Sequence, residues 1–430
     1  MGDTQAEVVV IGGGIIGCAI AYYLSQRKVD VVVVEKGEIG GEQSSRNWGF
    51  VRQQRRDLAE LPLMMAANKI WQTLEDELHA DIEWVQQGVL AVAGDEETLT
   101  RFRNWAAAAA EYGLDTRVLT RSEIQSMVPR MTGHYIGGIY TPSDGHAEPR
   151  KATLAFAEAA ERSGARILTY HIAEAIETTG GKVTAVVTDR GTIRTPVIVN
   201  AAGAHAMRVA RMVDLRLPQL LVRSTVAETT PTEPITGAGV WAPKVSFRQK
   251  RNGRLYIARG GHSDYDLSLD SFRYLRQFLP NYLKNRGLFR LRIGSTLWDD
   301  LAELIPWSET HRHPFARTVG VEPPPNYNSA RRSLKNLIDL IPSASDLRIS
   351  RTWAGIIDTT PDALPVLGPV DSPQGFIFAT GFSGHGFGIA PAIGKVLAEL
   401  ITDRQPSVSI EHLDFDRFHE GRMGKARHAI

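Results

Sequence analysis

The sequence predicts an α/β protein: a doubly wound nucleotide-binding domain, discontinuous in the chain, with an α+β second domain built on an antiparallel sheet. Two observations predict the first part. A β-branched run from Glu7 to Ile11 meets three glycines, and a helical apolar pattern from Ile15 to Arg27 then leads to four consecutive valines, Val31–Val34. A strand of unbroken apolar residues is what a parallel sheet covered on both faces requires. The second part rests on two stretches of different character, 84–140 and 221–318, where alternating strands such as Gly88–Val92 mix with amphipathic helices.

The remaining elements follow in order. A helix is expected near Glu148–Ser163, with Glu148-Pro149 as its start, and short strands between Arg166 and Thr188 come after it. A buried strand, Pro196–Ala201, ends in Ala202-Gly203. Strands near Leu347–Trp353 and Gly375–Thr380 precede the glycine-rich segment Gly381–Gly388, which opens a helix to about Ile401. These elements divide the chain into a nucleotide-binding domain (1–83, 141–220 and 319–430) and a substrate domain (84–140 and 221–318). No internal repeat or low-complexity tract is visible.

Composition narrows the partners. The 430 residues hold 49 basic and 48 acidic side chains, a net charge of +1, which creates no field to gather nucleic acid or an anionic surface. The single cysteine, Cys18, excludes an internal disulfide and a cysteine-rich metal site and fits a reducing compartment, so the expectation is a cytoplasmic protein without a bound metal. The first residues lack a basic leader, and no run of about 18 apolar residues would span a membrane.

Gly12, Gly14 and Gly17 form G-x-G-x-x-G between strand and helix. Missing side chains there permit the turn, the approach of a pyrophosphate and close helix packing, and the amides at Ile15 and Ile16 begin a helix with its positive end toward the phosphate. Glu35 ends the next strand, followed by Lys36. A carboxylate there accepts hydrogen bonds from ribose hydroxyls and repels a 2′-phosphate, which favours FAD or NAD over NADP.

Three further segments resemble the FAD-dependent amine and amino-acid oxidoreductases of the D-amino-acid oxidase type, which include glycine oxidase, sarcosine oxidase and the opine oxidase subunits. The first, Gly40–Arg52, contains Ser44, Ser45, Arg46, Asn47, Trp48 and Gly49 and is similar to the segment passing under the flavin. The second, Val197–Ala204, is similar to the strand and turn beside the FAD ribose and pyrophosphate, with Ala202 and Gly203 at the turn. The third, Ala379–Pro391, resembles the flavin-facing loop through Gly381, Gly384, His385, Gly386, Phe387 and Gly388. His385 reads as cofactor-adjacent, with a general base or metal ligand as the alternatives. The resemblance spans nearly the whole chain. It implies a Rossmann-like FAD-binding domain and FAD as cofactor.

It also implies hydride transfer from a carbon bearing a primary or secondary amine to flavin N5, then imine hydrolysis. The substrate would be a D-amino acid, an N-alkyl amino acid or an opine, and the acceptor oxygen or another oxidant. A dehydrogenase feeding a partner subunit or quinone is the alternative. A non-catalytic FAD-binding subunit is the reading from another class. Homo-oligomers and partner subunits both fit the family.

Departures from the family narrow the site. In Trp353-Ala354-Gly355-Ile356-Ile357-Asp358 the usual carboxylate-binding arginine falls on Ile357, and the lysine of sarcosine oxidases falls on Gly388, so both clamps are missing. Arg52 keeps the spacing of a carboxylate-binding arginine of monomeric sarcosine oxidases. The Trp353–Asp358 segment is most similar to opine oxidase subunits, and Asp358 would suit a cationic substrate group or cap a turn. Arg248 and Tyr256 are further candidates on strands of the substrate domain. Gly355 stands where a flavin-linked cysteine would be, so the resemblance implies non-covalent FAD. Finally, Phe272–Leu279, with basic residues continuing to Arg292, reads as a helix covering the substrate domain, or else as a contact for a membrane or partner chain.

Overall fold

The computed structural model describes residues 4–259, 263–305, 315, 318–402 and 405–424. The first three residues and several positions within the expected domain ranges lie outside the described residues.

Val8–Ile11 sits at the centre of a six-stranded sheet because each of its side chains is buried, which only a strand covered on both faces allows. It pairs in parallel with Val31–Glu35 on one side and Val197–Asn200 on the other. Arg166–Thr169 extends the sheet beyond Val31–Glu35, and Phe376–Thr380 extends it beyond Val197–Asn200. The antiparallel strand Val366–Pro369 closes the far edge. Helices Ile15–Gln26, Pro149–Arg162 and Gly386–Thr402 pack on one face, where Cys18, Ile20, Phe156 and Ile393 form the core. A four-stranded sheet, including Ala173–Thr179 and Lys182–Thr188, lies beyond.

The second domain is built on a ten-stranded, largely antiparallel sheet. It gathers Val89–Ala93, Gly137–Thr141 and the strands from Leu220 to Arg292. Ile349–Thr359 also belongs to it, paired with Leu220–Thr229 along its whole length. The sequence-based boundary at 319 would put that strand, and the helix Tyr327–Leu340 packed on the same core, in the nucleotide domain. The pairing that decides the matter joins residues more than a hundred positions apart, beyond the reach of local pattern. The consequence is functional: Gly355–Asp358 is carried by the larger sheet and meets the nucleotide domain along the cleft.

Candidate active site

A cleft with about 1910 Å³ of atom-free space, part of it open to solvent, runs between the two sheets. At one end the chain leaves Val8–Ile11 through Gly12, whose φ of +115° excludes most side chains; a Cβ there would lie 2.4 Å from the Ala201 carbonyl oxygen. A Cβ on Gly17 would lie 1.9 Å from the Gly12 oxygen, so turn and helix close only with glycine at that position. Helix Ile15–Gln26 starts at Gly14 without a side-chain cap, leaving first-turn amides toward the cleft, although Ile15 N–H donates to Ser44 Oγ at 2.9 Å. Ile15 and Ile16 line the wall, and Gly17 lies behind it.

The two Glu35 oxygens accept from Gly13 N–H and Gly37 N–H, both at 2.7 Å. Burial nevertheless pushes the carboxyl up, against the pull of those two amides. Lys36 is bound to Glu42, His205 and the Thr318 hydroxyl. Burial alone would raise Glu42, but His205 and Lys36 outweigh it and hold the carboxyl at about 2.

The strip Gly40–Arg52 lines the middle of the cleft with Ser44, Arg46, Asn47, Trp48 and Phe50, while Ser45 and Gly49 face away. Asn47 shapes it, accepting from Gly49 N–H at 2.8 Å. Gln43, which carried no role in the sequence reading, ties three segments together: its amide donates to Asp358 at 2.8 Å and its oxygen accepts from Ala204 N–H at 2.8 Å. Asp358 also accepts from Gln219 at 3.2 Å and from Gly381 N–H at 2.9 Å. Both its oxygens are therefore engaged inside the wall, and it acts as the knot joining Gly203, Gly381 and the under-strip rather than as an open anion. Gly355 packs its Cα against the Arg46 stem.

The remaining candidates separate clearly. Arg248 is almost wholly buried, donating to the Trp48 carbonyl and, at 2.6 Å, to Glu148, with its plane 4.7 Å over the Tyr256 ring. Tyr256 in turn meets Lys250 and the edge of Trp353, whose indole N–H donates to the Arg46 carbonyl. These three side chains stand behind the cleft wall, bracing Arg46–Trp48, because Glu148 and backbone carbonyls already satisfy the charge.

Arg52 is the contrast. It lines the cleft, is 8% exposed, lies 4.5 Å over the Trp241 ring, and among the described residues its guanidinium has no hydrogen-bond or ion-pair partner. Arg56 lines the cleft too, with a buried Nη1 lacking a partner, and the Trp241 indole N–H is likewise unsatisfied. Burial first, then Arg56 and Arg55, pushes the Arg52 proton affinity well down. Trp48, Phe50 and Trp241 form an aromatic cluster beside these cations, with ring centroids 5.1–6.0 Å apart. Trp241, Arg56 and Gln219 had no local motif to reveal them.

The loop before helix Gly386–Thr402 completes the site. Gly384, His385, Gly386, Phe387 and Gly388 line the cleft, whereas Gly381 anchors the loop from behind; the helix has no acid in its first turn. His385 Nδ1 lies 3.1 Å from Glu60, a wholly buried carboxylate 325 residues away in the chain. Burial, reinforced by Arg56, lowers His385 to about 4, so the ring is neutral near pH 7 and donates Nδ1–H to Glu60.

A glycine turn closed to Cβ atoms, a partly buried acid ending the next strand, and a long cleft between two sheets have the form of a dinucleotide-binding fold. The chain belongs to the family of FAD dependent oxidoreductases, whose profile matches residues 7–400. Mouse (Mus musculus) mitochondrial sarcosine dehydrogenase is 25% identical over 99% of this chain, which spans only 42% of that protein's length. Glycine oxidase of Geobacillus kaustophilus is 24% identical over 97% of this chain and 98% of its own. Among solved structures, an L-amino acid deaminase from Proteus myxofaciens in complex with anthranilate superposes with a TM-score of 0.90 at 25% identity, covering 97% of this chain and 95% of that one. FAD is the cofactor of the family. The Gly12–Gly17 cradle, Glu35 and the uncapped helix start fit its nucleotide end, and the Gly384–Gly388 loop fits its ring.

Proposed function

We propose that this chain oxidises the carbon–nitrogen bond of an amine carrying a neighbouring carboxylate: an amino acid, an N-alkyl amino acid or an opine. One observation carries the reading: among the described residues the Arg52 guanidinium and Arg56 Nη1 bring cationic donors without hydrogen-bond partners to the wall of the flavin cleft, in a protein that pairs Arg248 and Arg417 internally. Buried cations left unmatched call for an anionic ligand.

In this reading Arg52 and Arg56 hold the carboxylate, and Trp48, Phe50 and Trp241 receive an apolar substituent and exclude water. The anthranilate of the deaminase complex, an amine and a carboxylate on one aromatic ring, has the features such a wall selects. The start of helix Gly386–Thr402 directs unsatisfied amides and a positive dipole end into the cleft, where they would stabilise negative charge on a reduced ring. Bound FAD supplies the hydride acceptor. Neutral His385, fixed through Nδ1 by Glu60, keeps Nε2 as an acceptor for an N–H group. The imine released from the chain's hold then hydrolyses in water, without requiring a side-chain base.

Relatives bear both oxidase and dehydrogenase names, so delivery of electrons to a partner or quinone stands as the second reading. Anaerobic mixing of the holoprotein with a panel of D-, L- and N-methyl amino acids and opines tests the proposal. Bleaching of the flavin by one class supports it; no bleaching by any amine overturns it. Reoxidation in air then separates oxidase from dehydrogenase.

A further inference from the structure

Large apolar side chains are left in solvent mainly in one place. Of the sixteen exposed among the described residues, ten lie between residues 272 and 305. Their spacing is regular. Leu275, Leu279 and Leu283 form a single i, i+4, i+8 line along helix Leu275–Asn285, while Phe278 of the same helix turns inward to pack with Leu220. Helix Ser295–Glu303 repeats the arrangement with Trp298 and Leu301 outward. The strand between them, Phe289–Arg292, is the outermost of the ten-stranded sheet, and Ile293 beyond it is 75% exposed. The expectation that this region simply covers the substrate domain therefore accounts for Phe278 but leaves the opposite apolar line without a partner.

Charge divides this surface: helix Ser295–Glu303 carries Asp299, Asp300 and Glu303 and no cation, whereas the stretch before it is basic. Between residues 271 and 294 the sequence has six lysines and arginines and no acid, in a chain whose net charge is only +1. All six are exposed. Outward leucines and Phe272 on and beside helix Leu275–Asn285, framed by cations, are the pattern of helices that lie in a membrane interface. No helix among the described residues is long and apolar enough to cross a membrane, so such contact would be with the surface. A second copy of the chain is a poor occupant of the basic part, because a two-fold contact centred on helix Leu275–Asn285 would set the same cations against each other.

We propose that the face formed by helix Leu275–Asn285 and the strand Phe289–Arg292 docks on an anionic lipid surface. The leucines enter the headgroup boundary and Arg286 and Arg290 meet acidic headgroups. Docking would set the cleft close to the lipid: the edge strand pairs with Ser263–Asp266, whose first residue lines the cleft.

The holoprotein should co-sediment with vesicles containing phosphatidylglycerol and bind phosphatidylcholine vesicles at least about tenfold more weakly. Raising salt should release it, as the screening length shrinks from about 30 Å at 0.01 M to about 3 Å at 1 M. Combined Leu275→Glu, Leu279→Glu and Leu283→Glu substitutions alter only outward positions. They should reduce binding at least about tenfold while flavin content and turnover with a soluble acceptor stay unchanged. Absence of binding at low salt, equal binding by the triple variant, or a dimer in sedimentation velocity that the variant dissolves would each overturn the proposal; the last would make the face a self-interface.

Discussion

Replacing Arg52 by methionine separates what this residue does for the fold from what it does for the substrate. Methionine keeps an unbranched stem over Trp241 and removes the charge. Without ligand, burial and then Arg56 and Arg55 outweigh Asp144 and Glu60 in disfavouring that charge, which has no ion pair among the described residues, so its loss should leave the melting temperature of the holoprotein unchanged or slightly higher. Substrate binding should behave in the opposite way. Breaking a buried ion pair by removing one partner costs about 3–5 kcal/mol. Arg56 remains to hold part of a carboxylate, which favours the lower end, and about 3 kcal/mol corresponds to roughly a hundredfold loss in kcat/KM. Because the contact persists through the reaction, the loss should appear mostly in KM, with kcat little changed. Steady-state kinetics on the best amine from the bleaching panel, with the flavin spectrum as control, reads all of this. A change in kcat/KM of less than about threefold would show that the carboxylate is held elsewhere. Loss of flavin would show that Arg52 supports the cofactor site instead.

Glu35→Gln puts an amide donor against either Gly13 N–H or Gly37 N–H and should weaken FAD binding by about 1–3 kcal/mol, seen as flavin lost on dilution and gel filtration. The flavin should also separate from acid-precipitated protein: the only thiol, Cys18, is buried, its pKa is pushed up by that burial, and its sulfur points at the Gly13 carbonyl. Stability should fall in two steps toward acid. His385 is lowered from 6.5 to about 4, so its contribution is complete above pH 6.5 and is lost as pH falls toward 4; Glu42 is lowered from 4.5 to about 2, so its contribution is lost between those values. Thermal melts against pH should show His385→Asn flattening the first step and Glu42→Gln the second, and unchanged slopes in both variants would refute the assignment.

The nucleotide end was legible because its chemistry is local. Gly12 and Gly17 are needed by contacts within a single turn and its neighbouring strand, and Glu35 closes its own loop through Gly13 and Gly37. What the sequence left open is decided between distant segments. Gln43, Gln219 and Asp358 become one network only after Ile349–Thr359 pairs with Leu220–Thr229, a register no local pattern dictates. Glu60 gives no sign that His385 will lie against it. The two arginines make the point most directly. Arg52 and Arg248 both follow an apolar residue and precede a glutamine in the sequence, and both read as candidates for an anionic substrate. The fold brings Glu148 and the Trp48 carbonyl into hydrogen-bond contact with Arg248, whereas Arg52 has the face of Trp241 and two further arginines beside it, and Asp144 and Glu60 act on it without forming an ion pair. A buried cation hydrogen-bonded by its own chain can brace a wall, whereas one at a cleft without a bonded counter-charge is better stabilised by an anion the cleft admits. The distinction lies in the balance of charge around each group after folding, and that balance makes Arg52 the first residue to test.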